Sequence, residues 1–277
     1  MDFKKMAGET LAIMEQGYYE TEGRKITIAE QQDHAVGSSI LLTPEQGEAL
    51  LETCGKETDR VTGRETVYRV RNSSAVDVIS ELWAEGRAPA VLNFASAKNP
   101  GGGFINGAMA QEESLAMSSC LYRTQTVHET YYTANRACGT MMYTDHAIYA
   151  RDVVFFRDGD FRLLKEPVTA SILTLPAVNM GQVIVKGEDI TLARQVMKRR
   201  MKLALAVFER QGCRHLILGA YGCGVFRNDP EQIAAWWKEL LEDCFAGVFE
   251  TIVFAVLDRK AGGKCIAAFE HEFGCAG

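Results

Sequence analysis

No apolar run in this chain approaches the eighteen or so residues that a membrane span requires. The opening M-D-F-K-K-M-A-G-E-T-L-A-I-M-E-Q is amphipathic and carries acids where a secretory signal has an apolar core, so a cytoplasmic location is expected. None of the eight cysteines forms a C-x-x-C pair, and the five histidines do not cluster with them. Neither a zinc site nor a disulfide framework is expected, only reduced and mostly buried thiols. Positive charge is also short: the net charge is −6. That argues against a general nucleic-acid groove, which needs a basic face. It leaves room for one anionic group held by backbone dipoles. Pro/Ser linkers, low-complexity tracts and internal repeats are missing as well, so nothing in the sequence divides the chain into separately folding pieces.

What is there is a soluble globular composition, 277 residues with 47% hydrophobic and 24% charged side chains. Residues 3–20 place Met6, Leu11 and Met14 at helical spacing. Lys25–Ile28 reads as a short strand, and T-P-E-Q at Thr43–Gln46 starts a helix. Residues 1–65 are expected to form a helical and hairpin extension packed on a core of 66–277. From Thr66 the pattern is regular. Strands are expected at Thr66–Val70, Ala88–Ala95, His146–Phe156, Thr169–Val178, His215–Gly219 and Thr251–Leu257. Helices are expected to Trp83, over Ser114–Tyr122, Val127–Asn135, Glu188–Gln211 and Pro230–Cys244. Continuous apolar strands alternating with amphipathic helices predict an α/β fold of three layers with a mixed central sheet.

Two glycine-rich segments follow strands. The first is N-P-G-G-G-F at 99–104, and the second is G-A-Y-G-C-G-V-F-R-N-D-P at 219–230. In an open α/β sheet the binding crevice lies at the carboxyl ends of strands, so the two could converge on one ligand. In the second, Asp229 suits an N-cap, Pro230 the first helical position and Gln232 a capping box. Gly222, Cys223, Gly224 and Val225 would then approach a helix N-terminus, where exposed N–H groups favour phosphate; the plain alternative is a strand-to-helix turn. Neither segment matches G-x-G-x-x-G or a P-loop.

Gln111, Glu112 and Glu113 open the helix after the first glycines. Acids in a first helical turn are common as partners of the helix dipole. Here, however, the preceding F-I-N-G-A-M-A is small and uncharged, which places the pair beside the glycines. Adjacent helical residues diverge by roughly 100°, so the two carboxylates cannot flank a glycosidic bond as an ordinary sugar hydrolase requires. In glycoside chemistry one of them would serve as acid and then as base. Burial and the neighbouring acid would raise its pKa while the helix N-terminus would lower it, and the sequence leaves that balance open.

G-G-G, seven residues and Q-E-E, preceded by N-F-A-S-A-K-N-P and followed about a hundred residues later by G-A-Y-G-C-G-V-F-R-N-D-P, resembles the microbial-type poly(ADP-ribose) glycohydrolases of the macrodomain superfamily. The resemblance runs from about Ala88 to the C-terminus. It implies hydrolysis of ribose–ribose O-glycosidic bonds in poly(ADP-ribose), mainly from chain ends, with ADP-ribose as product and no cofactor. It also implies Glu113 as the acid/base and Glu112 as a grip on ribose hydroxyls, with Gln111 shaping the loop. Gly101, Gly102 and Gly103 would lie against the distal ribose and diphosphate, and Asn99 is a candidate ribose contact. Gly222, Cys223, Gly224 and Val225 would hold the diphosphate, and Phe226 would pack on the distal ribose. The alternatives are a macrodomain that reads ADP-ribose without cleaving it, or a hydrolase that removes single ADP-ribose groups from protein or nucleic acid. Three features stand outside this scheme. K-R-R-M-K at 198–202 reads as a solvated helix face, Trp236-Trp237 as one core and one partly exposed aromatic, and Tyr131-Tyr132 as core or adenine contact.

Overall fold

The computed structural model describes residues 1–54, 65–258 and 263–274. The chain opens with α1 (Phe3–Gln16), the hairpin β1 (Tyr18–Thr21) and β2 (Arg24–Thr27), α2 (Ala29–Gly37), β3 (Ile40–Leu42) and α3 (Pro44–Thr53). Next come β4 (Val67–Arg71), α4 (Ala75–Ala84), β5 (Pro89–Phe94), a 3-10 turn at Phe104–Asn106, α5 (Gln111–Ser118), α6 (Leu121–Thr126) and α7 (Glu129–Ala137). The remainder is β6 (Ala147–Arg157), β7 (Leu163–Leu175), α8 (Met180–Lys186), α9 (Ile190–Arg210), β8 (His215–Leu218), α10 (Pro230–Glu242), β9 (Thr251–Ala255) and α11 (Lys264–Phe273).

The main sheet has seven strands in the order β3-β6-β7-β5-β8-β9-β4. β7, β5, β8, β9 and β4 pair in parallel, while β6 runs antiparallel to both β7 and β3. This is the mixed sheet that the sequence pattern predicts. Its central strands are buried on both faces. Along β8, Leu216 and Leu218 enter one apolar cluster with α9 and α10, while Ile217 enters another with α4. β5 alternates the same way, Ala90 and Leu92 against Val91. A helix layer on each face is the physical consequence.

Three expected boundaries differ. The first helix stops at Gln16 because Gly17 turns left-handed at φ +73°, and Tyr18–Thr21 is strand. The helix expected over 114–122 is two helices. Ser119 Oγ donates to Leu115 O, and Cys120 N–H leaves the helical ladder to donate to Val154 O of β6. α2, α8 and α11 lie where no helix was expected. Within residues 1–65, β3 is the edge strand beyond β6, and the Thr43/Gln46 capping box forms as expected.

Candidate active site

β5 and β8 are parallel neighbours, with Val91 opposite Ile217, so their carboxyl ends lie at one edge of the sheet. Both glycine segments leave from that edge. They meet through the Phe94 and Tyr221 rings, 5.5 Å apart, and a Cβ on Gly219 would sit 3.3 Å from Phe94 Cζ.

α5 delivers the glutamates. Gln111 fastens its first turn to the end of β5: Nε2 donates to Leu92 O at 2.9 Å, and Oε1 accepts from Phe94 N–H at 2.9 Å. With both ends of its amide on backbone, Gln111 positions the helix rather than presenting itself to a ligand. Glu112 is 3% exposed and points inward. Its Oε1 accepts from Asn93 Nδ2 at 3.1 Å and Gln125 Nε2 at 3.0 Å, and its Oε2 accepts from Ser96 N–H at 2.7 Å. Burial outweighs these three donors and pushes the carboxyl up to about 8. The balance left open by the sequence is thereby decided for Glu112.

Glu113 is half-buried and engages the loop instead. Oε1 accepts from Gly103 N–H at 2.9 Å and Oε2 from Ala110 N–H at 3.1 Å. The two carboxylates still face one point. A Cβ on Gly102 would clash with Glu113 Oε1 and lie 3.0 Å from Glu112 Oε2. Gly102 also has φ +61°, so glycine is required there twice over. The acids therefore gather on one side of a common glycine, as their adjacency on the helix demands.

The first loop does not offer a free cradle of N–H groups. Gly101 N–H donates to Gln125 Oε1, Gly102 N–H to Asn99 O, and Gly103 N–H to Glu113 Oε1. Its contribution is close approach and shape, with Asn99 exposed at its start. The second loop differs. Cys223 N–H is spent on Ala220 O, but among the described residues no acceptor takes the N–H of Gly222, Gly224, Val225 or Phe226. Asn228, buried, holds this loop by donating from Nδ2 to Val178 O and Gly222 O. Gly222 has φ +73°, and a Cβ there would meet Asn228 Nδ2 at 2.6 Å. The free donors lie in the loop and not at the α10 terminus, where Asp229 caps the Glu231 N–H with its own negative charge. Val225 is 83% exposed and the Phe226 ring lies 6.1 Å from that of Tyr143. Burial raises the Cys223 thiol, and with its N–H on Ala220 O this residue contributes only to the shape of the loop.

Two elements of the site escaped the sequence. Gln125, on α6, joins Gly101 N–H to Glu112 and also donates to Thr174 Oγ1 on β7. No local pattern marks a glutamine on a separate helix. Asn93 and Ser96 fall in the segment before the glycines, yet only folding turns them toward Glu112. Among the described residues no group of three His, Cys, Asp or Glu side chains is assembled for a metal ion.

A three-layer α/β core with two converging strand-end loops and a carboxylate-bearing helix defines a macrodomain-like hydrolase site. Residues 7–158 match the family described as microbial-type PARG, catalytic domain. The structure is similar to poly(ADP-ribose) glycohydrolase from Thermomonospora curvata, at 39% identity and a TM-score of 0.93 over 98% of this chain and 99% of that one. The same enzyme bound to the inhibitor ADP-HPD gives 38% and 0.89 over 97% and 98%. The Deinococcus radiodurans glycohydrolase in complex with ADP-ribose gives 40% and 0.82 over 87% and 96%. No match is found among curated proteins. The chain belongs to the microbial-type poly(ADP-ribose) glycohydrolase family. The match begins far ahead of Ala88, where the motif resemblance starts, because α1 packs on the 3-10 turn and on α5 without carrying a motif of its own.

Proposed function

We propose that this poly(ADP-ribose) glycohydrolase releases ADP-ribose mainly from chain ends, with Glu113 as its acid/base and Glu112 as the grip on the distal ribose. The observation that carries the reading is the convergence of both carboxylates on Gly102 at the sheet edge where the second loop holds unspent N–H donors. Glu113 donates its proton to the departing ribose oxygen as the bond to the anomeric carbon breaks. The carboxylate then takes a proton from water, whose oxygen bonds to that carbon. Gly103 and Ala110 N–H hold the carboxylate in place between the two steps. The N–H groups of Gly222, Gly224, Val225 and Phe226 would bind the diphosphate, as oriented backbone amides do, and the Phe226 ring would support the ribose. Asn99 would contact a ribose from the rim. We assign α1 and β3 of the N-terminal extension to the same working unit, since α1 packs on α5 and β3 extends the main sheet, and take the cytoplasm as its location.

The test is ADP-ribose release from poly(ADP-ribose) by wild type and by Glu113→Gln, with ADP-ribose affinity measured for both. Loss of about a hundredfold or more in rate, the scale of one acid/base group, with affinity retained, is the expected result. A Glu113→Gln enzyme at near wild-type rate would remove Glu113 from the chemistry. Wild-type binding without release from either polymer or mono-ADP-ribosylated protein would point to a reader.

A further inference from the structure

Two sequence features left over by the site come together in the fold. The basic run at 198–202 lies on α9 and Trp236 on α10, and both line one surface groove of about 470 Å3. Arg194, Lys198 and Lys202 follow one another at four-residue steps, roughly 6 Å apart along the helix. Arg199 joins their row, with Trp236 and Leu240 forming the facing wall. Trp237 is fully buried, whereas Trp236 keeps an accessible side. Long cationic side chains lay apolar stems along such a floor and keep their charge at the rim.

From this groove we infer a second binding site for a purine nucleotide diphosphate, filled by the unit of poly(ADP-ribose) next to the one being cleaved. The proposal rests on the glycohydrolase reading. The chemistry matches: an adenine face for Trp236 and a phosphate for Arg194. Lys198 is partnered by Glu239 at 2.6 Å, and Arg199 by Glu48 and Asp145. Among the described residues Arg194 has no carboxylate partner, while Lys202 is hydrogen-bonded to the Cys54 thiol. On a chain of net charge −6, an uncompensated cation beside an aromatic is the local exception.

α10 links the groove to the second loop of the site. α10 starts directly after the second loop, and Trp236 is six residues past Pro230, roughly 9 Å along the axis. On α9, the residue after Arg199 is Arg200, fully buried, which donates to Met142 O at 2.6 Å and Pro176 O at 3.2 Å. The segment it braces contains Tyr143, the ring beside Phe226. One side of this helical turn thus supports the site and the other forms the groove.

The experiment compares Arg194→Glu and Trp236→Leu with wild type on long poly(ADP-ribose) and on its two-unit oligomer, with ADP-ribose affinity as control. KM for the long polymer should rise about fivefold or more, the scale of one lost base stack. The rate at saturation and the ADP-ribose affinity should stay at wild type, and the salt dependence of polymer KM should become shallower. Unchanged polymer KM in both variants overturns the proposal. So does unchanged polymer KM accompanied by lost affinity for a single-stranded DNA oligomer, which would make the groove a nucleic-acid site. If wild type releases no ADP-ribose, the glycohydrolase reading fails on its own; polymer retention on a filter then decides the groove, and equal retention by wild type and variants sinks it.

Discussion

Glu112 makes the stability of this fold depend on pH in a direction unusual for a carboxylate. Its carboxyl moves from 4.5 to about 8 on folding, chiefly through burial. Below pH 4.5 the folded and unfolded chains both hold the proton. Between 4.5 and 8 the unfolded chain has released it and the native protein keeps it, so rising pH favours unfolding. Above 8 both are ionised and the difference is constant. At about 1.4 kcal/mol per pH unit, the native state loses about 5 kcal/mol across this window, comparable with the whole stability of a small domain. Glu112→Gln removes the proton. The amide presents N–H to neighbours that are themselves donors, Asn93, Gln125 and Ser96 N–H, so the variant starts at a disadvantage. That disadvantage does not vary with pH and cancels in the comparison. Urea unfolding of both proteins from below pH 4.5 to above pH 8 should show the variant gaining on wild type by about 5 kcal/mol. A gap of equal size at both ends would mean that Glu112 is ionised in the native protein, held so by its three donors.

The other expectations are narrower. Gly102→Ala should cut turnover at least tenfold for a stability loss of about 1–2 kcal/mol, since it needs φ +61° and drives a methyl into Glu113; steady-state rates with thermal melts check this. Gln125→Leu removes the acceptor of Gly101 N–H and a donor to Glu112, and should cost about 2–3 kcal/mol by denaturant unfolding. Thr10→Val should cost about 1–2 kcal/mol, because Thr10 Oγ1 donates to Met117 O on α5 at 2.8 Å and accepts from the buried Arg157 at 2.7 Å. Gly222→Ala should weaken ADP-ribose affinity by calorimetry while sparing the rate at saturation, because it distorts the N–H-bearing loop and leaves α5 untouched.

The layers were legible because burial on both faces writes continuous apolar strands, and β5, β8 and β9 are such strands. The loops were legible because glycine is needed for positive φ at Gly101, Gly102 and Gly222. What stayed hidden depends on who accepts each N–H. The first loop has three glycines and spends every one of their N–H groups internally, on Gln125, Asn99 and Glu113. The second, with an equally plain sequence, leaves four open. The same limit concealed Gln125, thirteen residues and one helix away from the carboxylate it holds. It also concealed the groove, whose two walls are separated in sequence by a strand and a glycine loop.

The division of labour between adjacent glutamates follows from how α5 is seated. One step of about 100° turns Glu112 beneath the sheet edge and Glu113 toward the loop surface. Gln111 fixes that rotation by fastening the first turn to Leu92 and Phe94, and Thr10 with Arg157 secures the other end at Met117. A buried Glu112 that keeps its proton near neutral pH adds no second negative charge beside Glu113. Two ionised carboxylates sharing Gly102 would repel each other. With one of them neutral that repulsion is avoided, and a short helix of eight residues suffices to carry both.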